Sequence, residues 1–190
     1  MARISSEAVR ILINGGVGVL STDTLYGLVG SAFEKKAVER IYELKKRSPR
    51  KPFIILISGT EELERFGVAL DDRLRDILGK LWPGPVSVIL DCPSLASSLS
   101  YLKPFEGTLA FRCPKPKWLN VLLREAGPLV APSANPEGLA PAQTIAQAKA
   151  YFKDEVDFYC DAGALKGEPS TLLGIKDGDL TVLRQGKTKV

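Results

Sequence analysis

The sequence contains no histidine. That absence removes every Ser-His-Asp and Cys-His arrangement and the imidazole ligands of the usual zinc site. A serine in a polar loop is therefore not the nucleophile of a triad. Any catalysis falls to carboxylates, to a metal carried in by a substrate, or to positioning and electrostatics. Cysteine is also scarce: Cys92, Cys113 and Cys160 lie far apart in apolar or strand-like surroundings. An odd, scattered count argues against a disulfide framework and for thiols that act as small hydrophobes. No apolar run approaches the ~20 residues of a membrane helix. The stretch Met1-Ala2-Arg3-Ile4-Ser5-Ser6-Glu7 lacks the apolar region of a secretory signal. A cytoplasmic protein without membrane association is expected. Neither a Walker A nor a G-x-G-x-x-G motif is present, which excludes the common nucleotide cradles.

What the chain does have is an ordinary globular composition, 45% hydrophobic and 25% charged over 190 residues. That length supports one sizeable core and is short for two. With no repeat, low-complexity tract or long linker, residues 1–190 are expected to form one domain. The net charge is +4, too mild to indicate nucleic acid by itself. Its distribution says more, because Lys45, Lys46, Arg47, Arg50 and Lys51 form one dense basic stretch.

Helical periodicity begins after Ser5 or Ser6, either of which suits an N-cap, and stops at Asn14-Gly15-Gly16. Residues 17–20 read as a short buried strand that delivers Ser21 to Thr24 into a loop. An amphipathic helix is expected over 34–46, and the continuous apolar run 53–57 suits a central strand covered on both faces. Short helices follow near 60–66 and 71–81, the second stopped by Pro83-Gly84-Pro85. Further strands are expected at 86–90, 109–112, 128–131, 156–160, 171–175 and 180–184, with helices at 115–126 and after Thr144. Asp177-Gly178 is a hairpin turn signal. Alternating helices and strands that close on a hairpin indicate an α/β or α+β layer fold with a mixed sheet.

Polar loops at strand ends are where open α/β sheets bind ligands. Thr22-Asp23-Thr24-Leu25-Tyr26-Gly27-Leu28 offers hydroxyls and a glycine for close backbone approach, or else a strand turn that satisfies itself. Five cations between Lys45 and Lys51 repel one another unless an anion is shared, and Arg with Lys suits a polyphosphate. A solvated helix end, favoured by the dipole, accounts for Lys45 and Lys46 and poorly for the residues beyond. Ala131-Pro132-Ser133-Ala134-Asn135 is a small-residue loop that suits either a ring or phosphate near backbone N–H groups or an ordinary Asx or Ser turn. Arg112, Ser170-Thr171 and Arg184 are dispersed and individually weak signals. Residue chemistry alone stops at an anion or nucleotide site without histidine.

These segments together resemble the YrdC-like threonylcarbamoyl-AMP synthases, from Val17 to Gly186 and in the family's order. Ser21 to Leu28 matches P-T-[DE]-T-x-Y-G-L. Lys45, Arg47, Lys51 and Pro52 match K-x-R-x-x-x-[KN]-P, and Trp82 to Ser87 matches W-P-G-P-[VL]-[TS]. Thr108, Ala110, Arg112 and Pro114 fit T-x-A-x-R-x-P, and Ser133 to Asn135 is S-A-N. Asp161 with Gly163, Ser170-Thr171, and Arg184 with Gly186 complete the series. The resemblance implies a twisted mixed sheet flanked by helices around a concave ligand cavity. It implies condensation of L-threonine, bicarbonate and ATP to threonylcarbamoyl-adenylate, with pyrophosphate released and Mg2+ accompanying ATP. It places ATP on Arg47, Lys51, Thr108, Ser133, Asn135 and Arg184, and threonine on Thr24, Arg112 and Ser170. Lys45 and Arg47 are the candidates for alignment, and no protein residue is assigned to a metal. A separate transferase complex would then modify tRNA. The rival readings are a double-stranded RNA-binding or ribosome-associated module of the same fold, with RNA or tRNA as partner, and a paralogue acting on another carbamoyl acceptor. Ser21 and Ser48 stand where the pattern has proline, Leu56 where some relatives have histidine, and Ala131 and Pro141 where some have hydroxyl residues. The chain ends soon after Gly186, so the extra C-terminal domain of longer members is expected to be absent.

Overall fold

The computed structural model describes residues 6–48, 51–102, 105–176 and 179–190. The helices are α1 (Ser6–Ile13), α2 (Lys35–Lys45), α3 (Asp72–Leu81), α4 (Lys117–Ala126) and α5 (Ile145–Phe152). The strands are β1 (Val17–Ser21), β2 (Tyr26–Ser31), β3 (Ile54–Leu56), β4 (Val86–Asp91), β5 (Thr108–Arg112), β6 (Leu129–Val130), β7 (Phe158–Tyr159), β8 (Thr171–Lys176) and β9 (Asp179–Arg184). They form one mixed sheet in the order β7-β1-β2-β6-β3-β5-β4-β8-β9. The pairs β1/β7, β3/β5 and β4/β8 are parallel and the others antiparallel. The apolar run at 53–57 supplies β3, the middle strand, as its two-sided hydrophobicity requires.

Side chains alternate across this sheet with the strand period of two. Val19, Leu28, Ile55, Phe111 and Val130 join the larger core, with Ala37, Val38 and Ile41 of α2, Leu78 of α3 and Phe152 of α5. Leu20, Val29, Leu56 and Leu129 join a second cluster with Leu12 of α1 and Leu119, Leu122 and Leu123 of α4. Helices therefore cover both faces of the β1-β2-β6-β3 half. Thr144 caps α5 as expected, its side chain accepting from Gln147 N, whereas Ser6 is the first residue of α1; Asp71, not singled out in the sequence, caps α3 by accepting from Leu74 N.

Several elements differ from the sequence reading. The segment Thr22 to Leu28, expected as a polar loop or a strand turn, enters a strand at Tyr26, and Tyr26–Ser31 forms β2, fully buried. Gly27 and Gly30 look like turn residues, yet Gly30 serves packing. A Cβ there would lie 3.1 Å from Ala37 Cβ and Ile41 Cδ1, so its absence lets α2 sit directly on the strand. Thr60–Phe66 is 3-10 rather than α-helical, and a second 3-10 turn at Ser97–Leu102 had no clear periodicity to announce it. The strand expected at 156–160 shortens to Phe158–Tyr159. Helix α4 starts at Lys117, after Pro114 and Pro116, rather than at 115. Ser5 and the Asp177-Gly178 turn lie outside the described residues. All three cysteines are free; burial pushes the Cys92 and Cys113 thiols up to about 11.

Phe111 anchors the larger core from β5. Its ring meets Phe66 edge-on at 5.2 Å, and Phe66 stacks on Phe33 at 5.0 Å. Phe111→Ala should destabilise the protein by about 3–5 kcal/mol through lost burial and a residual cavity. Chemical denaturation is the check, and a loss below about 1 kcal/mol would contradict this account of the core.

Candidate functional site

On the β5-β4-β8-β9 half, the face that α1 and α4 cover elsewhere is open and becomes the floor of a cavity of about 510 Å3. Strand register builds the floor. Ile54 pairs with Ala110, Ser87 lies beside Leu172, and Leu172 pairs with Arg184. The two-residue alternation of β5 sends Thr108, Ala110 and Arg112 to this face. Every lining residue belongs to a strand or a loop.

Arg112 ends β5 and is 3% exposed. Its Nη2 lies 3.2 Å from Asp23 Oδ1, both side chains being about as buried as each other (4% and 5% exposed). The pair is electrostatic rather than well hydrogen-bonded. Neither Asp23 oxygen nor Arg112 Nε has a hydrogen-bond partner among the described residues. Burial pulls the guanidinium below its ordinary value, Asp23 opposes this, and Arg184 adds to it. The Asp23 loop is fixed by Thr22, whose N–H and hydroxyl both donate to the Leu25 carbonyl at 3.0 and 2.7 Å. Thr24 Oγ1 lies 3.1 Å from Thr22 Oγ1. Lys187 Nζ donates to the Asp23 carbonyl at 2.8 Å and pins the loop from the C-terminal side. Gly167 must be glycine here, because a Cβ would fall 1.8 Å from the Thr24 carbonyl oxygen. Ser170, 1% exposed, shares a hydrogen bond of 2.9 Å with the buried Ser87 hydroxyl and accepts at its carbonyl from Arg184 Nη2 at 2.9 Å.

The basic stretch supplies the opposite wall. Arg47 Nε donates to the Lys51 carbonyl at 3.0 Å, and the guanidinium sits 5.5 Å from the centre of the Phe53 ring. Lys51 is paired with Glu137, whose other carboxylate oxygen accepts from Ser48 N at 3.0 Å. The bond to Lys51 holds the Glu137 carboxyl below its usual range. Burial lowers Arg47, and burial together with Arg47 lowers Arg184. Arg47 thus disfavours Arg184 and Arg184 disfavours Arg112 around one cavity, a disposition that an anion relieves.

Thr24, Arg47, Lys51, Thr108, Arg112, Ser133, Ser170 and Arg184 all line this cavity; Lys45 and Asn135 do not. The Asn135 amide instead donates to the Pro136 and Leu139 carbonyls and closes its own loop. The solvated-helix-end reading fits Lys46, which is exposed, and fails for Lys45, which is 1% exposed. Lys45 turns inward because three oxygens of the 133–135 loop lie within reach of its ammonium. Pro49 and Arg50 lie outside the described residues. Among the positions that depart from the family pattern, Ala131 and Pro141 line the cavity and Leu56 packs beneath it. The sequence reading missed Phe105, an exposed ring on the cavity rim, and Ser87, which steadies Ser170. It also missed Glu137, although an acid two residues beyond Asn135 and a nearby basic stretch make a visible charge complement.

A family profile joining Sua5, YciO and YrdC proteins, described as "Telomere recombination", matches residues 10–186. The chain belongs to this family. It is 34% identical to the threonylcarbamoyl-AMP synthase of Hahella chejuensis, covering 94% of this chain and 96% of that one. It is 32% identical to a putative threonylcarbamoyl-AMP synthase of Mycobacterium tuberculosis, covering 95% and 82%. The crystal structure of Pyrococcus abyssi Sua5 complexed with L-threonine superposes with a TM-score of 0.84 at 26% identity. That match covers 95% of this chain and 53% of Sua5, so the chain spans about half the length of that relative.

Removing one member of a buried ion pair leaves the other charge uncompensated. Asp23→Ala should therefore cost about 3 kcal/mol of stability, and Asp23→Ala combined with Arg112→Met should recover most of it. Urea titration of the two variants tests this, and a single variant as stable as the parent would show that the pair is not what holds Arg112.

Proposed function

We propose that this chain is an L-threonylcarbamoyladenylate synthase, a nucleotidyl-transferring enzyme that joins L-threonine, bicarbonate and ATP and releases pyrophosphate and water. The observation that carries the reading is the set of three guanidiniums around one cavity, with Arg184 disfavouring Arg112 and Arg47 disfavouring Arg184, in a chain of this family. Arg47, Lys51 and Arg184 would take the phosphates, with Thr108 and Ser133 toward the nucleoside. Thr24, Arg112 and Ser170 would hold threonine, the buried guanidinium gripping its carboxylate. Magnesium arrives with ATP as part of the substrate.

The chemistry needs no protein nucleophile. The threonine amine attacks the carbon of carbon dioxide or bicarbonate to give a carbamate. A carbamate oxygen then attacks the α-phosphorus, the bond to the bridging oxygen breaks, and pyrophosphate leaves with its electron pair. The protein contributes alignment and fixed positive charge where negative charge shifts. The product would pass to a separate transferase complex for installation on tRNA. The decisive assay is threonine- and bicarbonate-dependent pyrophosphate release with the adenylate identified by mass. Pyrophosphate release that ignores threonine would overturn the reading.

Two substitutions test the partition of the cavity. Arg47→Ala should raise the ATP requirement by a factor corresponding to about 1.5–3 kcal/mol, whereas Lys46→Ala, in the exposed position, should leave it unchanged; equal ATP titrations would refute this. Arg112→Lys should raise the threonine requirement about tenfold, because a point charge replaces a planar fork. Its ATP affinity without threonine should stay near that of the parent. Weakened ATP binding with parental threonine dependence would move Arg112 to the nucleotide.

A further inference from the structure

Lys45 is the last residue of α2. Its ammonium donates to the carbonyls of Ser133 at 2.6 Å and Asn135 at 2.7 Å, with Asn135 Oδ1 at 3.4 Å. No carboxylate lies within ion-pairing distance of it among the described residues. A buried ammonium is costly without full satisfaction, so these oxygens are what retain it. They tie into the wall of the cavity through Ser133, which lines it and whose Oγ donates to Asn135 Oδ1 at 2.6 Å. The bonding also runs the other way, since the Lys45 carbonyl accepts from Glu137 N at 2.6 Å.

We infer that Lys45 is a positioning residue that fixes the Ser133–Asn135 loop from behind the cavity wall and takes up a proton when a polyanion fills the cavity. The inference rests on the nucleotide reading above. The groups facing Lys45 are few. Arg47 and Glu137 act on it from either side, Lys51 is engaged by Glu137, and burial pushes the Tyr42 phenol on α2 up to about 12, leaving it neutral. Burial first and Arg47 second bring Lys45 down to about 7, against the weaker pull of Glu137. As a neutral amine it still donates two hydrogen bonds, so the loop is held in either form. Arg47 lines the cavity, and an anion bound there offsets its repulsion and favours the ammonium.

The signs follow from linkage. In the empty protein the folded value lies below the ordinary 10.5, so the unfolded chain binds more proton between about 7 and 10.5. Stability of the empty protein therefore rises with pH across that window. For binding, the protonated form is preferred, so ATP affinity falls as pH climbs from about 7 to the raised value of the complex.

The test is calorimetric titration of MgATP near pH 8 in buffers of different ionisation enthalpy, with the parent and Lys45→Met. Nucleotide protonation is common to both proteins, so the difference belongs to Lys45. The parent should take up a fraction of a proton more than the variant. The variant should raise KM for ATP by about tenfold to a hundredfold with little change in kcat. Identical proton uptake and KM would overturn the inference alone. Failure of both MgATP and pyrophosphate to bind the parent would overturn it together with the nucleotide reading. If Lys45→Met does not fold, carbon NMR of the lysine side chains in the parent decides. One lysine should titrate near neutral pH when empty and higher with MgATP, whereas lysines that all titrate above about pH 9.5 would refute the proposal.

Discussion

The cavity depends on a guanidinium that has been taken out of water. Arg112 is held at the end of a core strand with Asp23 as its nearest counter-charge, and no aligned hydrogen bond passes between them. Such an arrangement is expensive in isolation, because desolvation of both charges exceeds what an imperfect contact returns. It persists because the surroundings over-determine it. Thr22 locks the loop that carries Asp23, Lys187 ties that loop to the C-terminal segment, and Arg184 with Ser87 fixes Ser170 nearby. An unmet donor, Arg112 Nε, is thereby kept at the wall of a cavity, where on the proposed reading a carboxylate ligand would accept from it.

The other cations extend the same logic. Arg47 and Arg184 disfavour each other, and Lys51 is occupied by Glu137 in the empty protein. A polyphosphate would replace Glu137 as partner of Lys51 and relieve the arginines together. Until then Glu137 holds both the Lys51 ammonium and the Ser48 N–H. The missing histidine fits this design, since charge placed in advance needs no group that titrates in the reacting position.

A single topological choice makes room for the site. α1 and α4 cover one face over β1, β2, β6 and β3 and leave β5, β4, β8 and β9 bare on that side. The bare floor is firm because its opposite face is packed on the larger core through Val88, Phe111 and Leu173. Polar loops from four distant stretches of chain then close over it.

Much of this was legible in the chain. The apolar run at 53–57 fixed a middle strand, the periodicity of 34–46 fixed α2, and the ordered motifs marked Arg47, Arg112, Ser133, Ser170 and Arg184 as residues that belong together. Local chemistry carries the strand and the helix, because period and turn residues are properties of neighbours along the chain, while the residue set rests on the family's motif order. β2 was not legible, since its glycines signal a turn locally and are explained only by a helix lying on them. Nor was the fate of the two adjacent lysines: Lys45 and Lys46 have the same chemistry and the same helix end. Which of them turns inward was decided by the carbonyls of a loop about ninety residues away, and only the packed chain brings those oxygens within reach.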